Sequence, residues 1–146
     1  MQRGVGLVIA ALTILFCGCA SHSSSQSRAA KRADEDAARL TASKWLKLVD
    51  DGDYEEAFEW EAQDFRMSRT QKQFVRYMQA RRQPFGHTLS RKFIGAASIQ
   101  KLVGLPDGNY ESIIFKTVFE HKSATAERVI LVKQPVGWRV IDYRLY

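Results

Sequence analysis

The spacing of apolar residues changes near Thr88, and this change constrains the fold of the chain more than any other feature. Before it, apolar side chains recur every three or four residues, as in amphipathic helices. Ala38, Ala42, Trp45 and Val49 form the clearest set of this kind. After it, apolar and polar residues alternate, which is typical of strands. The sequence therefore predicts an α+β fold in which the helices come first.

Three helices are predicted before the change in spacing. The first covers about 34–50 and opens on acidic residues, which suits the positive end of the helix dipole. The second begins at Asp53, which we expect to form a capping box with Glu56. The third is predicted to start at Ser68 or Thr70, because hydroxyl side chains are favoured at helix N-caps.

Four strands are predicted after the change in spacing, and Gly95 in the first of them indicates a bulge or bend. The links from the second strand onward are too short for parallel crossovers, which need a dozen or more residues. We therefore expect a curved, four-stranded antiparallel sheet packed against the three helices. The predicted strands cover residues 89–102, 110–121, 128–133 and 138–146.

The first nineteen residues resemble a bacterial lipoprotein signal peptide. Arg3 supplies a positive charge, and residues 5–16 are uncharged, with Gly18 preceding Cys19. A helix of twelve residues rises only about 18 Å, too little to span a bilayer core. This layout predicts cleavage before Cys19 and a lipid on its thiol, a strong nucleophile. Cleavage after Ala20, giving a soluble secreted protein, and an uncleaved anchor are the alternatives.

These features predict three parts: a signal peptide over 1–19, a flexible polar tether over 20–33 and a single α+β domain over 34–146. The lipid on Cys19 would attach the protein to a membrane. By resemblance, Ala20 and the serine after it favour an outer-membrane lipoprotein that faces the periplasm of a bacterial cell envelope. A soluble periplasmic protein is the alternative location.

The composition argues against several kinds of site in the domain. Both cysteines, Cys17 and Cys19, lie in the predicted signal peptide, so no disulfide or thiolate site is expected beyond it. The histidines, His22, His87 and His121, are scattered without metal-ligand spacing. The sequence also has no glycine-rich phosphate loop. We therefore predict no metal site and no cofactor.

Charge is unevenly distributed along the chain. Residues 34–64 contain eleven acidic and three basic residues, whereas residues 66–146 contain fifteen basic and five acidic residues. The two regions either face each other or are separately solvated. Alternatively, the basic region forms a surface for anionic lipid head groups or envelope polymers. No nucleic-acid partner is expected, because export removes the protein from nucleic acid.

Several short motifs together resemble the bacterial family known as domain of unknown function 4019, over residues 37–146. That family is similar to the cone-shaped α+β fold of nuclear transport factor 2 (NTF2), in which a bent sheet wraps a helix and encloses a pocket. The resemblance implies this fold and an exported, often lipid-anchored context, but no catalytic residue. The motifs are Trp45–Asp50, Gly52–Tyr54, Arg81–Gly86, Arg91, Pro106–Tyr110 and Trp138–Val140.

Three arginines flank the predicted turn after the third helix: Arg81, Arg82 and Arg91. Guanidinium groups grip carboxylates and phosphates with two parallel hydrogen bonds. Arg82 and Arg91 are therefore possible anion- or ligand-binding residues. The alternative is structural: one arginine pairs with an acid such as Asp107 or Asp142, and the others extend to water.

A cone with an open mouth is a natural ligand pocket, and isomerases and dehydratases of this fold use an acid with a tyrosine or histidine there. The candidates are Asp64, His87, His121, Asp142 and Tyr143. None lies in a recognisable catalytic motif. Simple alternation places Asp142 and Tyr143 on opposite faces of their strand. No catalytic residue is therefore assigned.

The leading functional hypothesis is a non-enzymatic binding or interaction domain held in the envelope by the lipid on Cys19. It would bind a small ligand or an envelope protein. An isomerase- or dehydratase-like enzyme that uses the cone pocket is the alternative. A scaffold that forms homodimers through its sheet is a third possibility.

Overall fold

The computed structural model describes the backbone of residues 20–146 and the side chains from Ser25 onward. The predicted signal peptide and its Cys19 lipidation site lie outside the described residues. Within the described range, no helix has the length and apolar character needed to span a membrane.

Helices precede strands, as predicted, but residues 20–146 contain four α-helices rather than three. The chain leaves the helical path at Trp60–Ala62, which runs beside the last strand. There the Ala62 amide donates to the Val140 carbonyl at 2.9 Å, and the Val140 amide donates to the Trp60 carbonyl at 3.0 Å. This long-range pairing divides the predicted second helix in two. The helices are α1 (Ala20–Asp51), α2 (Tyr54–Glu59), α3 (Gln63–Met67) and α4 (Gln71–Arg82), followed by a 3₁₀ turn at Gln83–Phe85.

The predicted flexible tether over 20–33 is helical in the structure and forms the first part of α1. Its side chains from Ser25 to Ala33 are exposed, so no core packing explains the helix. The run of alanine, lysine and arginine at 28–33 explains it better, because these residues have high helix propensity.

The two capping predictions have opposite outcomes. Thr70 caps α4 in a complete capping box, since its hydroxyl accepts from the Gln73 amide and the Gln73 side chain accepts from the Thr70 amide. The capping box predicted for Asp53 and Glu56 was wrong, because the Asp53 side chain makes no capping hydrogen bond. A tight turn supplies the local bond instead, as the Tyr54 amide donates to the Gly52 carbonyl at 2.9 Å.

The four strands form one antiparallel sheet in the order β1-β2-β3-β4, as predicted. The bulge predicted at Gly95 is confirmed: Phe93 pairs with Phe115, and Gly95 pairs with the adjacent Ile114. Such bulges bend the strand that carries them. The strands are β1 (Thr88–Ile99), β2 (Tyr110–Phe119), β3 (Lys122–Gln134) and β4 (Gly137–Leu145).

One face of the sheet, the inner face, packs on α1, α2 and α4. Its core contains Trp45 and Leu46 of α1 together with Ile113, Val129 and Leu131 of the sheet, all essentially inaccessible to solvent. A smaller apolar cluster lies elsewhere on the sheet, where Tyr110, Ile130 and Ile141 meet Ala62 and its neighbours. Burial of these apolar side chains provides the main driving force for folding.

Candidate functional site

Arg82 and Arg91, the predicted anion-binding residues, both bind Asp50 at the end of α1. Arg91 donates to both Asp50 carboxylate oxygens, at 2.6 and 3.0 Å, and Arg82 donates to one at 3.1 Å. Arg91 also donates through Nε to Glu127 at 2.6 Å. The acid partners are therefore Asp50 and Glu127, and the expectation of Asp107 or Asp142 was wrong.

Three hydroxyl groups complete this arrangement, which we call the ion network. Thr88 donates to Asp50 at 2.7 Å, Thr117 donates to Glu127, and Tyr143 donates to Glu127 at 2.6 Å. Two guanidinium groups face two carboxylates, so the charges balance. This internal pairing occupies the groups of Arg91 that would otherwise grip a ligand.

The surroundings of the ion network shift the pKa values of its members. Burial alone would raise the pKa of Asp50, but Arg91, Thr88 and Arg82 outweigh burial and lower it. Burial would likewise lower the pKa of Arg91, but its hydrogen bonds to Asp50 and Glu127 raise it. Burial and the Glu127 carboxylate raise the pKa of Tyr143. Asp50 and Arg91 are thus held in their ionised, paired forms at neutral pH, and the Tyr143 hydroxyl keeps its proton.

A cavity of about 120 Å³ lies between α3, α4 and β4, and we call it the Glu61 cavity. Its inner part is lined by core residues, including Trp45 and Phe74. Its polar lining comes from Glu61, Ser68, Arg69, Tyr77, Asp142 and Tyr143. The cavity is smaller than the roughly 300–1,000 Å³ of most ligand pockets, but it shares their apolar interior with a few convergent polar groups.

Glu61 is the most informative residue of this cavity. Its backbone bridges to Val140, which holds it at the edge of β4. The side chain is only 3% exposed. Arg69 donates to one carboxylate oxygen, while the other has no hydrogen-bond partner among the described residues.

Burial raises the pKa of Glu61, and the charges of Arg69 and Arg66 offset this only in part. A folded-state pKa above the unfolded value means that the ionised form weakens folding at neutral pH. Buried titratable groups with shifted pKa values in a cavity are candidates for functional residues.

Asp142 and Tyr143 both line the Glu61 cavity, although they lie on opposite faces of β4, as alternation predicts. Tyr143 pairs with Val129 of the inner core, whereas Asp142 pairs with Ile130 of the smaller apolar cluster. Both reach the cavity because it lies at the edge strand β4, where Glu61 bridges to Val140. The Tyr143 hydroxyl donates its hydrogen bond to Glu127 in the ion network, and the Asp142 carboxylate accepts a hydrogen bond from Arg144 at 2.8 Å.

The other catalytic candidates do not reach this cavity. Asp64 lies in the first turn of α3 and lines a separate cleft beside the β1–β2 loop. His87 and His121 are exposed near the tip of the β2–β3 hairpin. Among the side chains described, from Ser25 onward, no group of three or more potential ligands is arranged to hold a metal ion.

Sequence reasoning missed the acids Asp50, Glu61 and Glu127. For Glu127 a signal existed: it stands one residue before the predicted third strand and continues the alternation of Val129 and Leu131, so it shares their face if the strand begins earlier. Asp50 looked like a helix terminus, and Glu61 looked like the exposed end of a helix. Only their distant partners distinguish these two from ordinary surface acids.

Comparison with known proteins places the chain in a family. A search of curated proteins returns no match. A solved structure described as "Putative NTF2-like transpeptidase" from Campylobacter jejuni aligns with 68% of this chain and 92% of its own, at 16% identity and a TM-score of 0.47. The family model described as "Protein of unknown function (DUF4019)" matches residues 41–143. This chain therefore belongs to the DUF4019 family, as its motifs predicted.

Proposed function

We propose that this protein is an exported, lipid-anchored protein of the bacterial cell envelope whose domain binds a small polar ligand in the Glu61 cavity. The single observation that carries the binding role is the buried Glu61 carboxylate, with one oxygen unpartnered among the described residues. An unsatisfied buried carboxylate is costly. A ligand that donates a hydrogen bond would remove this cost.

The neighbours of Glu61 indicate what kind of ligand would fit. The free carboxylate oxygen of Glu61 can accept a hydrogen bond from a ligand, whereas Arg69 is a donor and is only partly buried. Trp45 and Phe74 provide apolar surface deeper in the cavity. The ligand should therefore be small and carry both donor and acceptor groups. Binding there would stabilise the folded state by an amount that grows with the logarithm of the ligand concentration above Kd.

The envelope location is supported by the order of residues at the N-terminus. A positive residue, an uncharged apolar segment, and Gly18 before Cys19 are the features that a lipoprotein signal requires. We place the protein on the outer membrane, facing the periplasm, with a soluble periplasmic form as the alternative. A homodimer through the sheet stays a prediction.

The anchor is tested by mass spectrometry of the mature protein expressed in a two-membrane bacterium. We expect an N-terminal, lipid-modified Cys19 and recovery in the membrane fraction. Cys19→Ala should abolish the modification, whereas Cys17→Ala, the matched control, should leave it intact. An unmodified N-terminus at Ser21 would contradict the lipid anchor.

The ligand site is tested by amide-resolved NMR titration with a panel of single amino acids and monosaccharides. We expect at least one compound to shift the signals of Glu61 and Arg69, and Glu61→Gln to weaken that binding about tenfold or more. Glu59→Gln is the control, because Glu59 is exposed and pairs with Arg66. Equal binding by both variants, or no binding by the panel, would count against the site.

Acid–base catalysis in the same cavity is the second candidate function. The observation that favours it is the raised pKa of Glu61 beside Asp142 and Tyr143. A carboxylate whose pKa moves toward neutrality is a better general base. In isomerase- or dehydratase-like chemistry, Glu61 would remove a proton next to a carbonyl group.

Exchange of such protons for deuterium in D₂O, monitored with small ketones and aldehydes, tests this second function. We expect exchange above the buffer rate that Glu61→Gln abolishes and Glu59→Gln preserves. Exchange at the buffer rate would favour a binding role without catalysis.

A further inference from the structure

Glu111 of β2 is a buried acid without a cation. It is 4% exposed, and one of its oxygens accepts a hydrogen bond from Ser98 of β1. Its other oxygen has no partner, and no basic side chain forms an ion pair with it among residues 25–146. By contrast, buried Glu61 and Glu127 each pair with an arginine.

A cleft of about 300 Å³ opens beside Glu111, and we call it the Glu111 cleft. It lies between α1 and the paired ends of β1 and β2. Buried Glu111 and Trp138 line it, together with the exposed amide side chains of Gln100 and Asn109. This volume is in the range of small-molecule sites. Glu111 is therefore a buried, partly unpaired carboxylate that lines an open space.

The chemistry of this lining favours an ammonium group. A carboxylate buried without a counter-charge is costly, and a bound cation removes most of that cost. An ammonium has three hydrogens to donate, and the amide oxygens of Gln100 and Asn109 are further acceptors. The indole of Trp138 favours a cation near its face. Asp34, which also lines the cleft, is already paired with Lys133 at 2.6 Å.

Lys31 of α1, an exposed residue that also lines the cleft, provides a positive charge. A ligand with a negative group at its other end would match this charge. We propose that the Glu111 cleft binds a small zwitterion whose primary ammonium contacts Glu111 and whose carboxylate lies toward Lys31. This site is separate from the Glu61 cavity and does not depend on it.

The test is calorimetric titration of the purified full chain with 5-aminopentanoate, which carries both charged groups. Pentanoate, which lacks the ammonium, is the matched ligand control. We expect saturable binding of the first compound and at least tenfold weaker binding of the second. Because both measurements use the unmodified protein, they stand even if a variant fails to fold. Absence of saturable binding, or equal affinity for the two compounds, would overturn the proposal.

Two variants extend the test to the residues themselves. Glu111→Gln should weaken binding of 5-aminopentanoate at least tenfold, whereas Glu55→Gln, an exposed control in α2, should not change it. Lys31→Gln should weaken binding a few-fold, as expected for an exposed charge. If Lys31 instead neutralises Glu111 itself, Lys31→Gln would strengthen amine binding, and that result would refute the proposed arrangement.

Discussion

Buried acidic residues differ in how completely the fold satisfies them. Glu127 accepts hydrogen bonds from Arg91, Thr117 and Tyr143, so both of its carboxylate oxygens have partners within the fold. Glu61 has one arginine and a free oxygen, and Glu111 has only a serine hydroxyl. A structural role accounts for the burial of Glu127, because its removal would break a satisfied network. A structural role does not account for the burial of Glu61 and Glu111, which is why we assign these two residues to ligand sites.

Replacement of Arg91 by methionine should strongly destabilise the protein. Glu127 is completely buried and would lose its cation, while Asp50 would keep only its pairing with Arg82. Breaking a buried ion pair from one side costs about 3–5 kcal/mol. Urea denaturation of Arg91→Met measures this loss in the free energy of unfolding.

The neighbouring Lys92 is the control for Arg91. It is exposed and forms no ion pair with another described residue, so Lys92→Met should change stability by about 0.5 kcal/mol or less. Similar losses in the two variants would show that the ion network contributes little to stability. Arg91 would then again be a candidate for binding an external anion.

Connections between elements depend on glycines in unusual conformations, and two of them differ informatively. Gly86, between the 3₁₀ turn and β1, has φ +69°, and Gly52, between α1 and α2, has φ +81°. A Cβ on Gly86 would lie 2.7 Å from the Glu120 Oε2 atom and 2.9 Å from its Cβ. A Cβ on Gly52 would meet nothing within 4 Å. Both turns need glycine because the backbone has a positive φ there, but only at Gly86 would a side chain also clash with a neighbouring residue.

Alanine substitutions at these positions should separate the two requirements. Gly52→Ala should cost about 1–2 kcal/mol, the penalty for a left-handed conformation. Gly86→Ala should cost more, because steric overlap with Glu120 adds to the backbone strain. Thermal unfolding of both variants tests the order, and an equal loss would mean that the Glu120 side chain moves aside without cost.

The whole molecule is tied together by the ion network. Its members come from α1, α4 and each of the four strands: Asp50, Arg82, Thr88, Arg91, Thr117, Glu127 and Tyr143. The helical layer and the sheet therefore share one set of charges. Protonation of one of these groups therefore weakens hydrogen bonds that join the helices to the sheet.

This connection predicts acid sensitivity that depends on Asp50. Folding lowers the pKa of Asp50 below its ordinary value of 3.8. The contribution of Asp50 to stability is therefore present above about pH 4 and is lost as the pH falls further. Urea denaturation at pH 6, 4 and 3 should show a steeper loss for the unmodified protein than for Asp50→Asn. Asp51→Asn, at an exposed acid beside it, should follow the unmodified protein. Parallel curves for all three proteins would contradict this role.

The order of helices and strands, the antiparallel sheet and the bulge at Gly95 were determined by the sequence alone, and the cap of α4 was narrowed to Ser68 or Thr70. Each depends on apolar spacing, link length or a residue's own conformational preference, which are properties of neighbouring positions. The helix over residues 20–33 is local too, but its serine-rich beginning obscured the helix propensity of the alanines and basic residues that follow.

Only the tertiary structure decided the partners of the charged residues. Arg91 meets an acid 41 positions away in the chain, and Glu61 becomes a cavity residue because its backbone bridges to Val140. Asp142 and Tyr143 line one cavity from opposite faces of β4, because the segment that carries Glu61 lies along the edge of this strand. These contacts depend on how distant segments align, and no spacing within one segment encodes that alignment.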